Sequence, residues 1–142
     1  MASIVELRDM SNIKLEEMLE NAREEMFNLR FQRATGRLED YSRLKKVRQE
    51  IARLETVLNA RHQAVALAAQ EPEIAAVLAG KEWQASAHYD YELSTWLVTF
   101  TDNNDASMAT AQVNLNQKHN FPRQKRQEGR QPRRVTQYEI AG

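Results

Sequence analysis

At 142 residues, the chain has room for one ordinary domain, or for a small domain with an appendage. It has no cysteine, which excludes a disulfide framework and any thiolate metal centre and fits a reducing compartment. Its 20 Lys and Arg balance its 20 Asp and Glu only on average: residues 1–25 carry net −4, residues 26–62 net +5, residues 63–117 net −6 and residues 118–142 net +5. Two basic blocks offer two places where a polyanion can dock, and the acidic blocks between them face solvent or a protein.

The opening MASIVELRDM has acids within its first ten residues and no long apolar core, so neither a signal peptide nor a transit peptide is read here. No apolar run approaches the roughly 18 residues of a membrane span, and a cytoplasmic chain is expected. The first element opens near Ser11-Asn12, either of which can cap a helix, with Glu16 and Glu17 near the positive end of its dipole. Leu15, Leu19, Ala22, Met26 and Leu29 recur at four and three and form one apolar stripe. Ala34-Thr35-Gly36 closes this helix, because glycine takes the left-handed conformation without steric cost.

Asp40 or Ser42 caps a second helix, with the stripe Leu44, Val47, Ile51, Leu54 and Leu58. The short connection predicts an antiparallel helical hairpin with arms of roughly 30 Å, at about 1.5 Å per residue. Two helices enclose only a thin seam, so a third element or a large partner is expected to cover it. Val65 to Leu78 is an Ala-rich continuation interrupted at Glu71-Pro72, where proline can start a new short helix, and Gly80 ends it.

Beyond Gly80 the period changes to two. Ala85, Ala87, Tyr89, Tyr91 and Leu93 alternate with polar residues, as do Trp96, Val98 and Phe100, and then Ala111, Val113 and Leu115. Residues 83–116 therefore read as a small antiparallel sheet of two or three strands, with a turn at Thr101 to Asp105. So small a sheet needs something to lie on. The tail from Lys118 carries Pro122, Gly129 and Pro132 among its charges and reads as extended until bound, with Val135, Tyr138 and Ile140 anchoring its end on another surface. The predicted fold is mainly α: a long antiparallel helical hairpin, then a small antiparallel β region and a basic extended tail. Its parts are residues 1–62, a helical linker at 63–80, a β-rich extension at 81–117 and the tail at 118–142.

Two basic sets carry the candidate chemistry. Arg30, Arg33, Arg37, Arg43, Lys45, Lys46, Arg48 and Arg53 gather around the bend and the start of the second helix, and the arginine fork suits phosphate. On a helical wheel Lys45, Lys46, Arg48 and Arg53 lie away from the centre of the stripe. The second set is Lys118, Arg123, Lys125, Arg126, Arg130, Arg133 and Arg134, in a segment suited to threading between phosphates. A solvated charged face is the alternative for the first set, and a solubilising tail for the second. Trp83, Tyr89, Tyr91, Trp96 and Phe100 fit either a base-stacking platform or the core of the small sheet, and the core reading is favoured because the region has little else to bury. His62, His88 and His119 lack metal-ligand spacing, adjacent Glu24 and Glu25 point in different directions, and there is no glycine-rich phosphate loop or nucleophile motif. No catalytic or metal-binding residues and no cofactor are assigned, and an enzyme is not expected.

The run Phe27-Asn28-Leu29-Arg30-Phe31-Gln32, the Ala34-Thr35-Gly36 bend and the segment Val47-Arg48-Gln49-Glu50-Ile51-Ala52-Arg53 resemble the family of universal large-subunit ribosomal protein number twenty-nine, over roughly Val5 to His62. The resemblance implies a helical hairpin lying on large-subunit ribosomal RNA beside the nascent-chain tunnel exit. It also implies ribosomal protein number twenty-three as a neighbour, factors that meet the emerging chain nearby, and no catalysis. Its RNA-facing set comprises Arg30, Arg33, Arg37, Lys45, Lys46, Arg48 and Arg53. The chain departs from the family's usual pattern in Arg37, where glutamine is common, in the acids Glu39-Asp40, and in continuing well past the second helix. The extension is expected to be a lineage-specific addition, its sheet on neighbouring proteins and its tail in RNA. The rival reading is a coiled-coil protein-interaction module away from the ribosome.

Overall fold

A computed structural model describes residues 3–117 and 134–141. The chain divides into two compact units, residues 1–59 and 60–142.

The first unit opens with α1 (Ile4–Asp9), an element the apolar period does not announce. It is written in local chemistry instead: the Ser3 hydroxyl accepts from the Glu6 amide at 3.3 Å, and the Glu6 carboxylate accepts from the Ser3 amide at 3.0 Å. This reciprocal cap satisfies two backbone donors that a helix start otherwise leaves open. The helix buries Leu7. Ser11, one of the two expected caps, starts α2 (Asn12–Ala34) by accepting from the Lys14 amide at 3.3 Å.

The five residues α2 buries are Leu15, Leu19, Ala22, Met26 and Leu29, the stripe read from the sequence. The helix ends where expected. Gly36 adopts φ +73°, the Arg37 amide donates to the Gln32 carbonyl at 2.8 Å, and the Thr35 hydroxyl turns back to the Phe31 carbonyl at 3.1 Å. These bonds satisfy carbonyls that the last turn leaves unpaired. At the start of α3 (Ser42–Ala69) it is Asp40, not Ser42, whose side chain accepts: its carboxylate receives the Ser42 amide at 3.0 Å and the Ser42 hydroxyl at 2.6 Å.

Two apolar clusters hold this unit. Leu7, Leu15, Leu19 and Ala22 are buried with Leu54, Val57 and Leu58; Met26, Leu29 and Leu38 are buried with Leu44 and Val47. Ile51, also in the predicted stripe, is half-buried against both. The early part of α2 thus shares a cluster with the middle of α3, and the late part of α2 with its beginning. Each fully buried leucine contributes about 1.5–3 kcal/mol. Arg23 pairs with Glu55 at 2.9 Å, and Arg43 pairs with Glu25. α1 adds Leu7 to the first of these clusters, with Ile4 and Met10 at its margin, and does not reach the second.

The second unit contains the end of α3, α4 (Pro72–Leu78) and four strands, β1 (Gln84–Asp90), β2 (Thr95–Thr101), β3 (Ser107–Val113) and β4 (Val135–Ile140). Pro72 occupies the start of α4, where its missing amide costs nothing, and Gly80 follows the helix at φ +72°. The sheet is antiparallel with spatial order β1-β2-β3-β4. It has four strands rather than two or three, because part of the segment read as an extended tail forms β4. Val135 is buried and Tyr138 half-buried, anchoring this segment on the chain's own sheet instead of another surface. A register shift at Gln112/Val113 brings Val135 opposite Val113 and Tyr138 opposite Ala111. Two residues three apart then face one core, which breaks the simple alternation that marks a strand.

The alternation through Tyr91 and Leu93 also misleads. β1 stops at Asp90, whose carboxylate accepts from the Glu92 amide at 2.9 Å, and both Tyr91 and Leu93 are exposed in the turn. The turn after β2 forms as expected, with the Asp102 carboxylate accepting from the amides of Asn104 at 2.8 Å and Ala106 at 3.0 Å. The inward sheet face carries Ala87, Trp96, Val98, Phe100, Ala109, Ala111 and Val113, and Ala64, Ala68, Ile74 and Leu78 of α3 and α4 cover it. That cover is what so small a sheet requires.

Candidate nucleic-acid interface

The first basic set follows from the stripes of α2 and α3. With Leu29, Leu44 and Val47 turned inward, Arg30, Arg33 and Arg37 stand exposed along the end of α2 and the bend. Lys45, Lys46 and Arg48 are exposed on the first turns of α3. Arg53 is half-buried further along, and Arg43, exposed, is held against the Glu25 carboxylate. Residues 27–38 contain no acid, so cations predominate along that stretch, with Glu39 and Asp40 following it directly.

The nearby acids are not equivalent. Asp40 is committed to the start of α3: hydrogen bonds from the Ser42 hydroxyl and amide, then the charges of Lys46 and Arg43, hold its carboxyl below the ordinary aspartate value of 3.8. Phe31, Arg37 and Arg43, with the acids Glu39 and Asp40, contribute to the lining of a shallow concavity beside the bend.

Three aromatic side chains share this region and were not singled out as site residues from the sequence. Phe27 is 69% exposed, Phe31 63% and Tyr41 61%. The signal was present, since Phe27 and Phe31 lie one turn apart and off the Leu15-to-Leu29 stripe. Arg61, counted with the basic block by its position, is 6% exposed in the second unit, and burial lowers its pKa from the ordinary arginine value.

Of the second basic set, Arg134 is half-buried; its Nε donates to the Gln117 carbonyl at 3.1 Å, and its own carbonyl accepts from the Asn114 amide at 2.7 Å. These bonds close the β3 and β4 ends of the intervening segment onto each other. Lys118, Arg123, Lys125, Arg126, Arg130 and Arg133 lie outside the described residues.

The base-stacking platform on the sheet gives way to the core reading. Trp96 and Phe100 are buried, Tyr89 meets Trp96 edge-on at 5.2 Å, and Trp83 meets Phe100 edge-on at 5.4 Å. The opposite sheet face presents Ser86, His88, Leu97, Thr99, Thr110 and Gln112, with no Phe, Tyr or Trp among them. Among the described residues, no three His, Cys, Asp or Glu side chains gather as a metal site, and no helix is long and apolar enough to cross a membrane.

Residues 5–61 match the family model described as ribosomal L29 protein. The large ribosomal subunit protein uL29 of Mycobacterium ulcerans is 50% identical over 68 residues, which is 48% of this chain and 85% of that relative. The chain belongs to the ribosomal L29 family. The uL29 proteins of Natranaerobius thermophilus and Staphylococcus aureus are 54% and 50% identical over 56 residues, 39% of this chain and 86% and 81% of those relatives. The whole first basic set, the bend and both exposed phenylalanines fall inside the L29 match, whereas the sheet and the second basic set fall outside it. The chain is thus a large-subunit ribosomal protein whose C-terminal part lies beyond the stretch these relatives match.

Proposed function

We propose that this chain is a structural constituent of the cytoplasmic large ribosomal subunit and binds ribosomal RNA through the basic face around the bend. One observation carries this reading: six exposed cations, Arg30, Arg33, Arg37, Lys45, Lys46 and Arg48, lie within the segment shared with ribosomal L29 proteins. Such a face neutralises phosphates and releases their counterions. α2 and the first half of α3 act as an antiparallel hairpin; the crossed order of the two apolar clusters and the Arg23–Glu55 and Arg43–Glu25 pairs support that arrangement. A seam of two long helices and one short one is thin, and docking on a large rigid partner adds stability that the core by itself lacks.

Residues 1–62 act as the docking module, and we set it at the nascent-chain tunnel exit next to ribosomal protein number twenty-three and within reach of factors meeting the emerging chain, a reading that the family resemblance supports. Residues 63–80 and 81–117 extend it towards neighbouring proteins. Residues 118–133 carry six more cations suited to RNA, and Arg134 secures the segment's return to the sheet. The protein's role is architectural and involves no catalysis.

Binding to large subunits lacking this protein, measured by co-sedimentation across a salt series, tests the reading. The expected result is binding at moderate salt whose logarithm falls linearly with log salt. Replacing Arg30, Arg33 and Arg37 with glutamine reduces the magnitude of that slope by about 2–3, at roughly 0.7–0.9 for each phosphate no longer neutralised. Replacing Lys118, Arg123, Lys125, Arg126, Arg130 and Arg133 with glutamine tests the second set while leaving β4 in the sheet, which deletion of 118–142 would remove. A chain that stays in the supernatant at moderate salt is an adaptor of another kind, and the proposal fails.

A further inference from the structure

We propose that Phe27 and Phe31 stack on unpaired nucleotides of ribosomal RNA, so that the bend engages a single-stranded loop or bulge and not duplex backbone alone. The inference rests on the RNA-binding reading above and specifies the RNA that this face takes. Phe27 and Phe31 are 69% and 63% exposed on a helix whose apolar needs are already met by five buried residues. Scattered surface leucines or valines are ordinary, but two phenylalanine rings one helical turn apart form a directed feature.

Their setting favours nucleic acid over an apolar protein surface. Arg30 lies between them in sequence, Arg33 and Arg37 follow, and no acid occurs from residue 27 to 38. Phe31, Arg37 and Arg43 line the same concavity at the bend together with Glu39 and Asp40, and the Asp40 carboxylate is engaged by Ser42. A protein surface complementary to this patch would have to be both apolar and acidic, whereas an unpaired nucleotide presents a flat π face next to a phosphate. Aromatic rings stack on any base, and arginine forks hold the adjoining phosphates.

The spacing narrows the choice further. Residues four apart on a helix are separated by about 6 Å along its axis, against roughly 3.4 Å between the planes of stacked bases. Two rings at that separation match bases drawn apart, as in the splayed loops and bulges that proteins read in RNA. Duplex RNA keeps its bases stacked inside and offers the rings nothing.

The test compares the full chain with Phe27→Ala, Phe31→Ala and the corresponding leucine variants, all at exposed positions. The probes are a fluorescently labelled oligouridylate and a paired RNA duplex of equal length, read by anisotropy. To keep the second basic set from masking the effect, every chain carries glutamine at Lys118, Arg123, Lys125, Arg126, Arg130 and Arg133. Each alanine variant should lose about tenfold in oligouridylate affinity, about 1.4 kcal/mol, with unchanged duplex affinity and salt slope. Leucine should lose as much, because it keeps apolar area but has no π face.

Wild-type affinity in both alanine variants overturns the stacking while leaving the basic-face reading intact, provided that Arg30, Arg33 and Arg37→Gln still weakens both probes. Leucine variants that keep wild-type oligouridylate affinity also overturn it, because apolar area without a π face then suffices. No salt-dependent RNA binding by the parent chain removes both proposals together. In isolated large subunits, zero-length ultraviolet cross-linking should join a nucleobase to Phe27 or Phe31, and cross-links from this chain confined to other residues overturn the stacking.

Discussion

Substituting Gly36 with alanine isolates the backbone chemistry of the bend. Gly36 sits at φ +73°, and a Cβ built on it meets no atom within 4 Å, so the change creates no clash with neighbours. What remains is the local cost of holding an L-residue in the left-handed region, about 1–2 kcal/mol. Alanine also narrows the unfolded ensemble, which returns about 0.4–1 kcal/mol. The expected net loss is about 1 kcal/mol, or a fall of about 4–8 °C in melting temperature for a unit of this size. Far-UV circular dichroism reports the helices, and tryptophan fluorescence provides an internal control because Trp83 and Trp96 both lie in the second unit. Gly36→Asn should cost less, since asparagine tolerates this conformation better than alanine does. Gly80→Ala, at φ +72° and equally open, should cost a similar amount in the second unit. A Gly36→Ala chain whose helices melt at or above the parental temperature would refute the left-handed bend.

In the second unit, Phe100→Ala should cost about 3–5 kcal/mol and Phe100→Leu less than about 1.5 kcal/mol, measured by denaturant titration of tryptophan fluorescence; equal losses would contradict a fully packed site at this 0%-exposed ring. The carboxyl of Asp40 is held below 3.8 by its bonds to Ser42. A depressed folded-state value means that Asp40's contribution to the start of α3 is present above the unfolded pKa and is lost as pH falls through the folded one, so it fades only below about pH 4. The Ser42 amide shift should follow that titration by NMR, and Ser42→Ala should move the midpoint back up; a midpoint that does not move argues against these bonds. Because Glu25 already holds Arg43, Arg43→Gln should reduce the salt slope of RNA binding less than Arg37→Gln does, and a larger effect would mean the ion pair opens on binding.

Much of the first unit was legible because its determinants are local. The spacing of Leu15, Leu19, Ala22, Met26 and Leu29, the Ser11 cap and the stop at Gly36 each depend on residues within one or two turns. α1 escaped notice for the opposite reason. Six residues show no usable period, and the Ser3–Glu6 reciprocal cap was its only local mark. At the interface the positions of the arginines and lysines were readable, but their separate circumstances were not. Arg43 meets Glu25 from another helix, and Arg134 meets Gln117 across an intervening segment, and neither partnership follows from spacing along one helix.

By itself, then, the sequence determined where the helices start and stop, which faces they bury and which stretch resembles ribosomal L29 proteins, because these depend on short-range periodicity and capping. Tertiary structure decided the fourth strand, the burial of Trp96 and Phe100 and the exposure of Tyr91, because strand pairing joins residues as distant as Ala109 and Ile140. A β-bulge breaks the alternation along β4, and an Asp90 turn cuts short the alternation along β1. Both events are settled by which hydrogen-bond partners lie across the sheet, and that information is absent from the period of any single segment.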